Sequence, residues 1–423
     1  MRVFIHTMYF LPEFGSAPIL MNELAAFLSA RGHEVHVVTT IPRPPHSRKY
    51  KGRLKAVESR NGFMVTRFLT NFTVHHIGRL VAWSVYTLMT ILNLGRVRKG
   101  DVLFLRLPPL QLGVTGIIAG KLRKAKVILN VQDIHPDLSI ESGLLRNPRI
   151  IRMALRFEKW IYDGVPRILV ISEGFKKNLV DKGVDEAKIK ILPNWVDTDF
   201  LKPLDRDNPW ARGHGLDGRF VVMYSGTISI SSIRTLETIL DSARLLADDP
   251  EVLFVIVGEG LKRKELLDKA RCLQLDNVLF LPFQPYADLP SLLASSDVLL
   301  VPLDKEKSLL SVPSKLYNFM AAGRPIMGLA HSDSEVRALI EQTGCGVCLS
   351  PQDTEGIVSA VRRLKRADGD RLSMGKNARR YAEANYSLKH VLSQMESLLL
   401  SLDGEIGRSA VQSNRGGFDE LVR

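Results

Sequence analysis

The chain opens on a short, mostly apolar run, Val3 to Tyr9, which gives way to a loop from Leu11 to Pro18 containing Pro12, Gly15 and Pro18. That pattern predicts a buried parallel strand and a turn. From Ile19 to Arg31 the apolar residues return at helical spacing, Gly32 stops the helix, and Glu34 to Thr40 reads as the next strand. Further apolar runs at Val102 to Leu105, Lys126 to Val131 and Arg167 to Ile171 continue the alternation of strand and helix. Past Pro193 the pattern restarts. Strands are predicted at Phe220 to Ser225, Val252 to Val257, Val278 to Leu281 and Val298 to Val301, and helices at Thr235 to Ala247, Lys262 to Leu273 and Ser314 to Ala322, the last stopped by Gly323. Alternation of this kind predicts doubly wound parallel sheets, two of them in series. The division expected is residues 1–195 and 196–385, then a helix over 386–403 packing back toward the first domain, and a disordered tail over 404–423 with Ser, Asn, Gly and scattered charge. The stretch from Pro193 to Gly218, rich in Pro, Asn, Asp and Gly, is the linker.

With 423 residues, 45% of them hydrophobic, each half is large enough for its own core. The 58 Lys and Arg outnumber 45 Asp and Glu, for a net charge of +13, and the excess is uneven. Between Arg43 and Arg106 lie thirteen basic residues and only Glu58 and Asp101 as acids. Such a field suits nucleic acid, an anionic membrane or phosphorylated small molecules. No nucleic-acid reader motif or interleaved stacking aromatics accompany the charge, so nucleic acid is not expected as a partner. Three cysteines are too few for a disulfide framework, and Cys345-Gly346-Val347-Cys348 reads as small residues at a strand edge. That usage fits a reducing, cytoplasmic setting. His6, Pro12 and Glu13 interrupt the first apolar run, which argues against a signal peptide. The longest apolar stretch, Leu80 to Leu94, is about fifteen residues, short of the roughly twenty that span a bilayer.

Ligands of doubly wound sheets bind beyond the carboxyl ends of the strands, where amides and helix N-termini face anions. Five segments fall there. Gly15 follows the first strand and permits close backbone approach. Gln132, Asp133 and His135 end a buried strand with polar groups that are costly unless used. Gly226 and Thr227 open a turn that leads to Arg234. Gly258 and Glu259 belong to a GxG, which alone is a weak signal. Ser314 is placed to cap a helix, and Lys315 adds charge suited to a pyrophosphate.

The order and spacing of these segments resemble the family 4 retaining glycosyltransferases of the two-domain B-type fold, over roughly residues 1–400. The resemblance is carried by Arg31-Gly32-His33-Glu34-Val35, Ile191-Leu192-Pro193-Asn194-Trp195-Val196-Asp197, Val257-Gly258-Glu259-Gly260 and Ala322-Gly323-Arg324-Pro325-Ile326. Pro313-Ser314-Lys315-Leu316-Tyr317 followed by Met320-Ala321-Ala322-Gly323 is similar to the branch that builds bacterial capsule, exopolysaccharide and O-antigen chains, the colanic-acid type. The resemblance implies two Rossmann-like domains facing a cleft. It also implies transfer of a sugar, with retention, from a nucleotide-diphosphate donor (a UDP-sugar favoured) to a polyprenyl-pyrophosphate-linked acceptor. Neither cofactor nor metal is implied. Asp133, Arg234 and Lys315 become the catalytic candidates. Gly15, Gly226, Thr227, Arg234, Gly258, Glu259, Gln284, Ser314, Lys315, Leu316 and Asn318 become donor-binding candidates, and Gln132, Asp133 and His135 face the acceptor.

Several positions depart from the family pattern. Its two glutamates eight apart are Leu310 and Asn318 here; its arginine after the glycine turn is Thr227, its lysine Arg234, and its acceptor-side histidine Gln132. The missing acids leave open a non-catalytic partner subunit, and the shared fold leaves open a sugar-nucleotide epimerase; a phosphorylase would need a pyridoxal lysine for which no site is evident. The basic excess, joined to the apolar segment Ile77 to Leu94 with Trp83 and Tyr86, predicts peripheral docking on the inner, anionic face of the cytoplasmic membrane. The same segment also reads as a core helix.

Overall fold

The computed structural model describes residues 1–13, 15–44, 46–70, 76–141, 143–229, 232–304 and 312–415. It divides into two compact units: Met1–Pro193 together with Val391–Arg423, and Asn194–His390.

In the first unit eight strands form one sheet: β1 (Arg2–His6), β2 (Glu34–Thr40), β3 (Lys55–Arg60), β4 (Phe63–Phe68), β5 (Val102–Leu107), β6 (Lys126–Val131), β7 (Arg167–Val170) and β8 (Ile189–Ile191), in the order β3-β4-β2-β1-β5-β6-β7-β8. All neighbours are parallel except β3 and β4. The helices are α1 (Ser16–Ala30), α2 (His76–Leu92), α3 (Leu112–Ile118), α4 (Asp137–Glu141), α5 (Pro148–Gly164) and α6 (Glu173–Asp181). The chain leaves β1 toward β2 on one side and later returns to place β5 on the other, so the strand order reverses between β1 and β5. Such a switch point opens a crevice at the carboxyl ends of its two strands.

The second unit begins with α7 (Pro209–Gly213) and alternates β9 (Phe220–Ser225), α8 (Ile233–Leu245), β10 (Val252–Val257), α9 (Arg263–Cys272), β11 (Val278–Leu281), α10 (Leu289–Ala294), β12 (Val298–Pro302), α11 (Ser314–Ala321), β13 (Ile326–Leu329), α12 (Glu335–Thr343) and β14 (Gly346–Leu349). Helices α13 (Thr354–Arg366) and α14 (Asp368–Asn385) follow. The strand order is β11-β10-β9-β12-β13-β14, all parallel, with its switch between β9 and β12. Period-two alternation sends Val221 and Met223 into one core and Phe220, Val222 and Tyr224 into the other, because helices cover both faces of the sheet. The last helix, α15 (Leu388–Arg415), packs with the first unit from Val391 onward. Its Glu396 accepts from His33 Nε2 at 2.8 Å and pairs with Arg31 at 3.2 Å.

Three differences from the sequence reading have clear causes. The hairpin of β3 and β4 was not expected, because the charged, alternating Lys55–Arg60 reads as polar chain; its signal is the turn Asn61-Gly62, both residues at positive φ. The tail expected from residue 404 is helical to Arg415, since Gly404 and Gly407 each weaken a helix by only about 1 kcal/mol and good helix formers surround them; residues 416–423 lie outside the described residues. Finally, α2 does not offer its aromatic rings outward. Trp83 is 7% exposed and Tyr86 fully buried, with its hydroxyl donating to Val38 O at 2.7 Å.

One buried charge ties the irregular edge of the first unit together. Arg67, 1% exposed on β4, donates from Nε to Glu58 on β3 at 2.7 Å, from Nη1 to Thr40 O at 3.3 Å and from Nη2 to Leu11 O in the loop after β1. The rings of Phe10 and Tyr50 flank its guanidinium. Arg67→Met should lower stability by about 2 kcal/mol, because it strands two carbonyls and leaves Glu58 with only Lys49 and the Tyr50 hydroxyl as partners. Urea unfolding checks this, and a loss below about 1 kcal/mol would show that water replaces the guanidinium without cost.

Candidate functional site

Polar chemistry collects at both switch points. In the second unit, β9 and β10 end in glycine turns pressed together backbone to backbone. Gly226 N donates to Val257 O at 2.9 Å, Gly258 N to Leu281 O at 2.9 Å and Ile228 N to Glu259 O at 2.9 Å. Gly226, Gly258 and Gly260 have φ of 155°, 152° and 155°. A Cβ on Gly258 would lie 1.9 Å from Gly226 O, and one on Gly260 2.1 Å from Ile228 O. The GxG that is weak as a motif is therefore required here twice over, by conformation and by contact.

Lys315 reaches into this turn from the first turn of α11. Its Nζ sits 4.0 Å from the Tyr224 ring centroid, and a Cβ on Gly226 would lie 2.4 Å from it. Burial pushes its pKa down to about 7, with no charged neighbour contributing. A half-buried, desolvated ammonium with no acid beside it among the described residues suits an anion. The start of α11 adds to it. The expectation that Ser314 caps the helix does not hold: Pro313 occupies the N-cap and Ser314 is already the first helical residue, with no side-chain cap bond. The amide of Leu316 is spent on Pro313 O at 2.9 Å, and the positive end of the helix lies at Ser314 and Lys315.

The remaining donor candidates divide. Thr227 is exposed, and its carbonyl accepts from the Tyr224 hydroxyl at 2.7 Å, so the turn is braced by the ring beneath Lys315. Glu259 pairs with Arg263 at 3.5 Å, and Arg263 Nε donates to Gly258 O at 3.2 Å. Gln284 is half-buried and donates to Pro282 O at 3.1 Å. Asn318 is half-buried one turn beyond Ser314. Leu316 belongs to the core instead, fully buried with its amide spent on Pro313 O at 2.9 Å. Arg234 is exposed in the first turn of α8. Beside it the helix start is held by a residue that the sequence reading missed: buried Asp304, just past β12, accepts from Thr235 N at 3.1 Å and Thr235 Oγ1 at 2.6 Å. Leu310 and Ser311 lie outside the described residues.

In the first unit, Asp133 is exposed beyond β6, and Gln132 donates to Asn130 Oδ1 at 2.9 Å. His135 meets Trp83 edge to face at 5.6 Å, so the aromatic residue expected at a membrane instead supports the loop after β6. Two further residues stand at the strand ends. Arg106 is buried at the end of β5, its pKa brought down to about 10 by burial, with Asp133 and Tyr9 acting against that shift. His6 ends β1 fully buried, and burial holds its pKa near 3, which keeps it neutral. The signal for Arg106 was a lone ionisable residue in an otherwise apolar strand, and for His6 an ionisable residue directly after the apolar Val3, Phe4 and Ile5. Gly15, at the start of α1, lines a pocket of about 440 Å³ with Tyr9, Glu13, Arg43 and His46. Burial raises the pKa of Glu13 against the pull of Arg43, whose guanidinium lies 5.4 Å from the Tyr9 ring. Behind the loop, Lys182 joins Asp137 of α4 at 2.7 Å to Glu158 of α5 at 2.8 Å. Burial raises Glu158 to about 7 in spite of that partner. Among the described residues no group of three or more His, Cys, Asp or Glu is placed to hold a metal ion.

Gly258→Ala should cost about 2 kcal/mol or more, since neither turn can retreat. Gly369→Ala, which meets nothing within 4 Å, should not destabilise. Equal melting temperatures for the two variants would remove the packed-turn argument.

Comparison with known proteins accords with this geometry. Residues 17–195 match the model of the glycosyl transferase 4-like domain, and residues 210–381 that of glycosyl transferases group 1. A protein of Escherichia coli (strain K12) named as a colanic acid biosynthesis glycosyl transferase, WcaI, is 27% identical over 93% of this chain and 98% of its own. A Pseudomonas aeruginosa protein named as a glycosyltransferase, WbjE, is 27% identical over 69% of this chain and 72% of its own. Among solved structures, sucrose-phosphate synthase from Thermosynechococcus elongatus superposes with a TM-score of 0.75 at 16% identity, covering 96% of this chain and 99% of that one. Anabaena HepE in complex with UDP-glucose gives 0.71 at 16% identity, covering 95% and 100%. With one family model on each unit and the same fold throughout, the chain belongs to the family 4 glycosyltransferases of the two-domain B-type fold.

Proposed function

We propose that this glycosyltransferase moves a hexosyl or N-acetylhexosaminyl group from a UDP-sugar to a lipid-linked, phosphorylated saccharide at the cytoplasmic membrane surface, with retention and without a metal, in bacterial surface polysaccharide synthesis. The observation that carries the reading is Lys315: a desolvated ammonium with no paired acid among the described residues, set against a glycine turn at a sheet switch point. A leaving nucleoside diphosphate supplies the missing negative charge. Lys315, Arg234 and the first amides of α11 stabilise that charge as it develops. The two glycine turns let the phosphates approach the backbone, and Asn318 donates to a ribose hydroxyl. Asp133, beside Arg106, orients the acceptor. Front-face attack assisted by the leaving phosphate needs no protein nucleophile. The UDP-glucose held by HepE and the colanic acid role in the name of WcaI support donor and pathway class.

Incubating the purified protein with a panel of nucleotide sugars and a membrane lipid extract, and identifying the product by mass spectrometry, tests the reading. Release of free sugar or epimerised nucleotide without a lipid product would overturn it. Lys315→Ala and Arg234→Ala should each lower turnover roughly 100-fold, whereas excess EDTA should leave it intact; a loss under threefold in both variants removes the phosphate assignment.

Lys315 also makes a pH prediction. Its pKa in the free protein is about 7, and a bound diphosphate raises it, so at pH 8 UDP binding should take up a proton. Affinity should be full below pH 7 and fall as pH rises toward the raised value. Calorimetry in buffers of different ionisation enthalpy measures the uptake. Lys315→Gln should abolish it, and uptake that survives in that variant assigns the proton elsewhere.

A further inference from the structure

Helices α2, α3 and α5 lie side by side, with α3 packed against both of the others. Each turns an apolar line away from the sheet. On α2 the outward residues are Leu80, Val81, Leu88 and Leu92, between 46% and 67% exposed. On α3 and the π-helical turn after it, Ala119–Arg123, they are Val114, Ile118 and Leu122, the last 76% exposed. On α5 they are Ile150, Met153, Phe157 and Trp160, spaced as one helical stripe, with Phe157 and Trp160 stacked at 5.8 Å. Soluble monomers rarely leave apolar lines on three adjacent helices.

The exposed charge on this layer is mostly basic: of the two acids of α5, Glu158 is buried and Asp163 is paired with Lys159 at 3.0 Å. Beside the stripe of α5 runs an exposed row of Arg149, Arg152 and Arg156, and Lys121, Arg123 and Lys124 are exposed around Leu122. Not one Asp or Glu occurs in residues 76–92, 112–123 or 148–157. A second copy of the chain seated here would set arginines against arginines. Nucleic acid would meet aliphatic side chains where stacking rings are needed. An anionic bilayer surface answers both features at once, taking the apolar lines into its headgroup boundary and pairing phosphates with the basic rows.

We infer that the outer face of α2, α3 and α5 docks this protein in the plane of an anionic lipid surface, with α5 as the principal contact. The inference rests on the reading above of a lipid-linked acceptor. It differs from the sequence expectation in its residues: Trp83 and Tyr86 are core, and Trp160 is the interfacial aromatic.

Pelleting the full-length protein with vesicles of phosphatidylcholine alone or with added phosphatidylglycerol, at low and high salt, tests it. Binding should require the anionic lipid and weaken with salt. The triple variant Arg149→Glu/Arg152→Glu/Arg156→Glu should lose roughly tenfold or more in partitioning, while Arg362→Glu/Arg363→Glu on α13 should bind as the parent does. Tryptophan emission should shift to the blue on vesicles and lose that shift in Trp160→Phe. Binding indifferent to lipid charge, an unaffected triple variant, or no pelleting with dimers seen by light scattering would each overturn the proposal. UDP titration of the same samples separates the two readings. Intact UDP binding without vesicle binding sinks the docking face alone, and vesicle binding without UDP binding sinks the donor assignment alone.

Discussion

A parallel strand covered by helices on both faces has no room for polar side chains along its length, and this constraint places every candidate group in the molecule. In the second unit the central strands β10 and β12 are buried from end to end and β9 as far as Tyr224, so chemistry begins where they stop, at Gly226, Gly258 and Asp304. In the first unit the same rule sets His6, Arg106 and Asp133 at the ends of β1, β5 and β6. Both sheets reverse their order at those strands, which parts the helices above them and leaves space for a ligand.

Charges that remain inside do mechanical work. Arg67 holds the hairpin, β2 and the loop after β1 in one hydrogen-bonded knot. Lys182 does the same for α4 and α5, and Asn178 of α6 adds a bond to Asp137 at 2.8 Å. Each network lies directly behind a loop that carries candidate site residues. The loops therefore inherit the rigidity of buried ion pairs, which yield only when a charge is left alone in the interior.

How much of this was legible follows from what each signal depends on. Strands β6, β9 and β10 fall where their apolar runs predict, because a doubly buried strand writes its burial into nearly every position. The hairpin escaped because its outer strand is exposed and charged, leaving only Asn61-Gly62 to announce it. Lys315 and the glycine turns were visible as types and spacings. The 1.9 Å approach that makes Gly258 obligatory was not, since it depends on a neighbouring strand. Trp83 was misplaced for the converse reason: an apolar helix with aromatic residues has the same composition whether it meets lipid or core, and only the surrounding elements decide which side each ring takes. Arg106 was readable as a lone ionisable residue in an apolar strand, but only the register of β5 with β6 shows it paired opposite Asn130, next to the Asp133 loop.

The return of α15 to the first unit has a consequence for the order of events during synthesis. The second unit is one uninterrupted segment, Asn194–His390, and holds all of its own strands as soon as it has left the ribosome. The first unit is split: its eight-stranded sheet emerges early, but Glu396, which closes on His33 and Arg31, is made only after the whole second unit. The usual sequence of vectorial folding, N-terminal part first, is inverted at its last step, and the early half waits for the late half to finish before its own surface is complete.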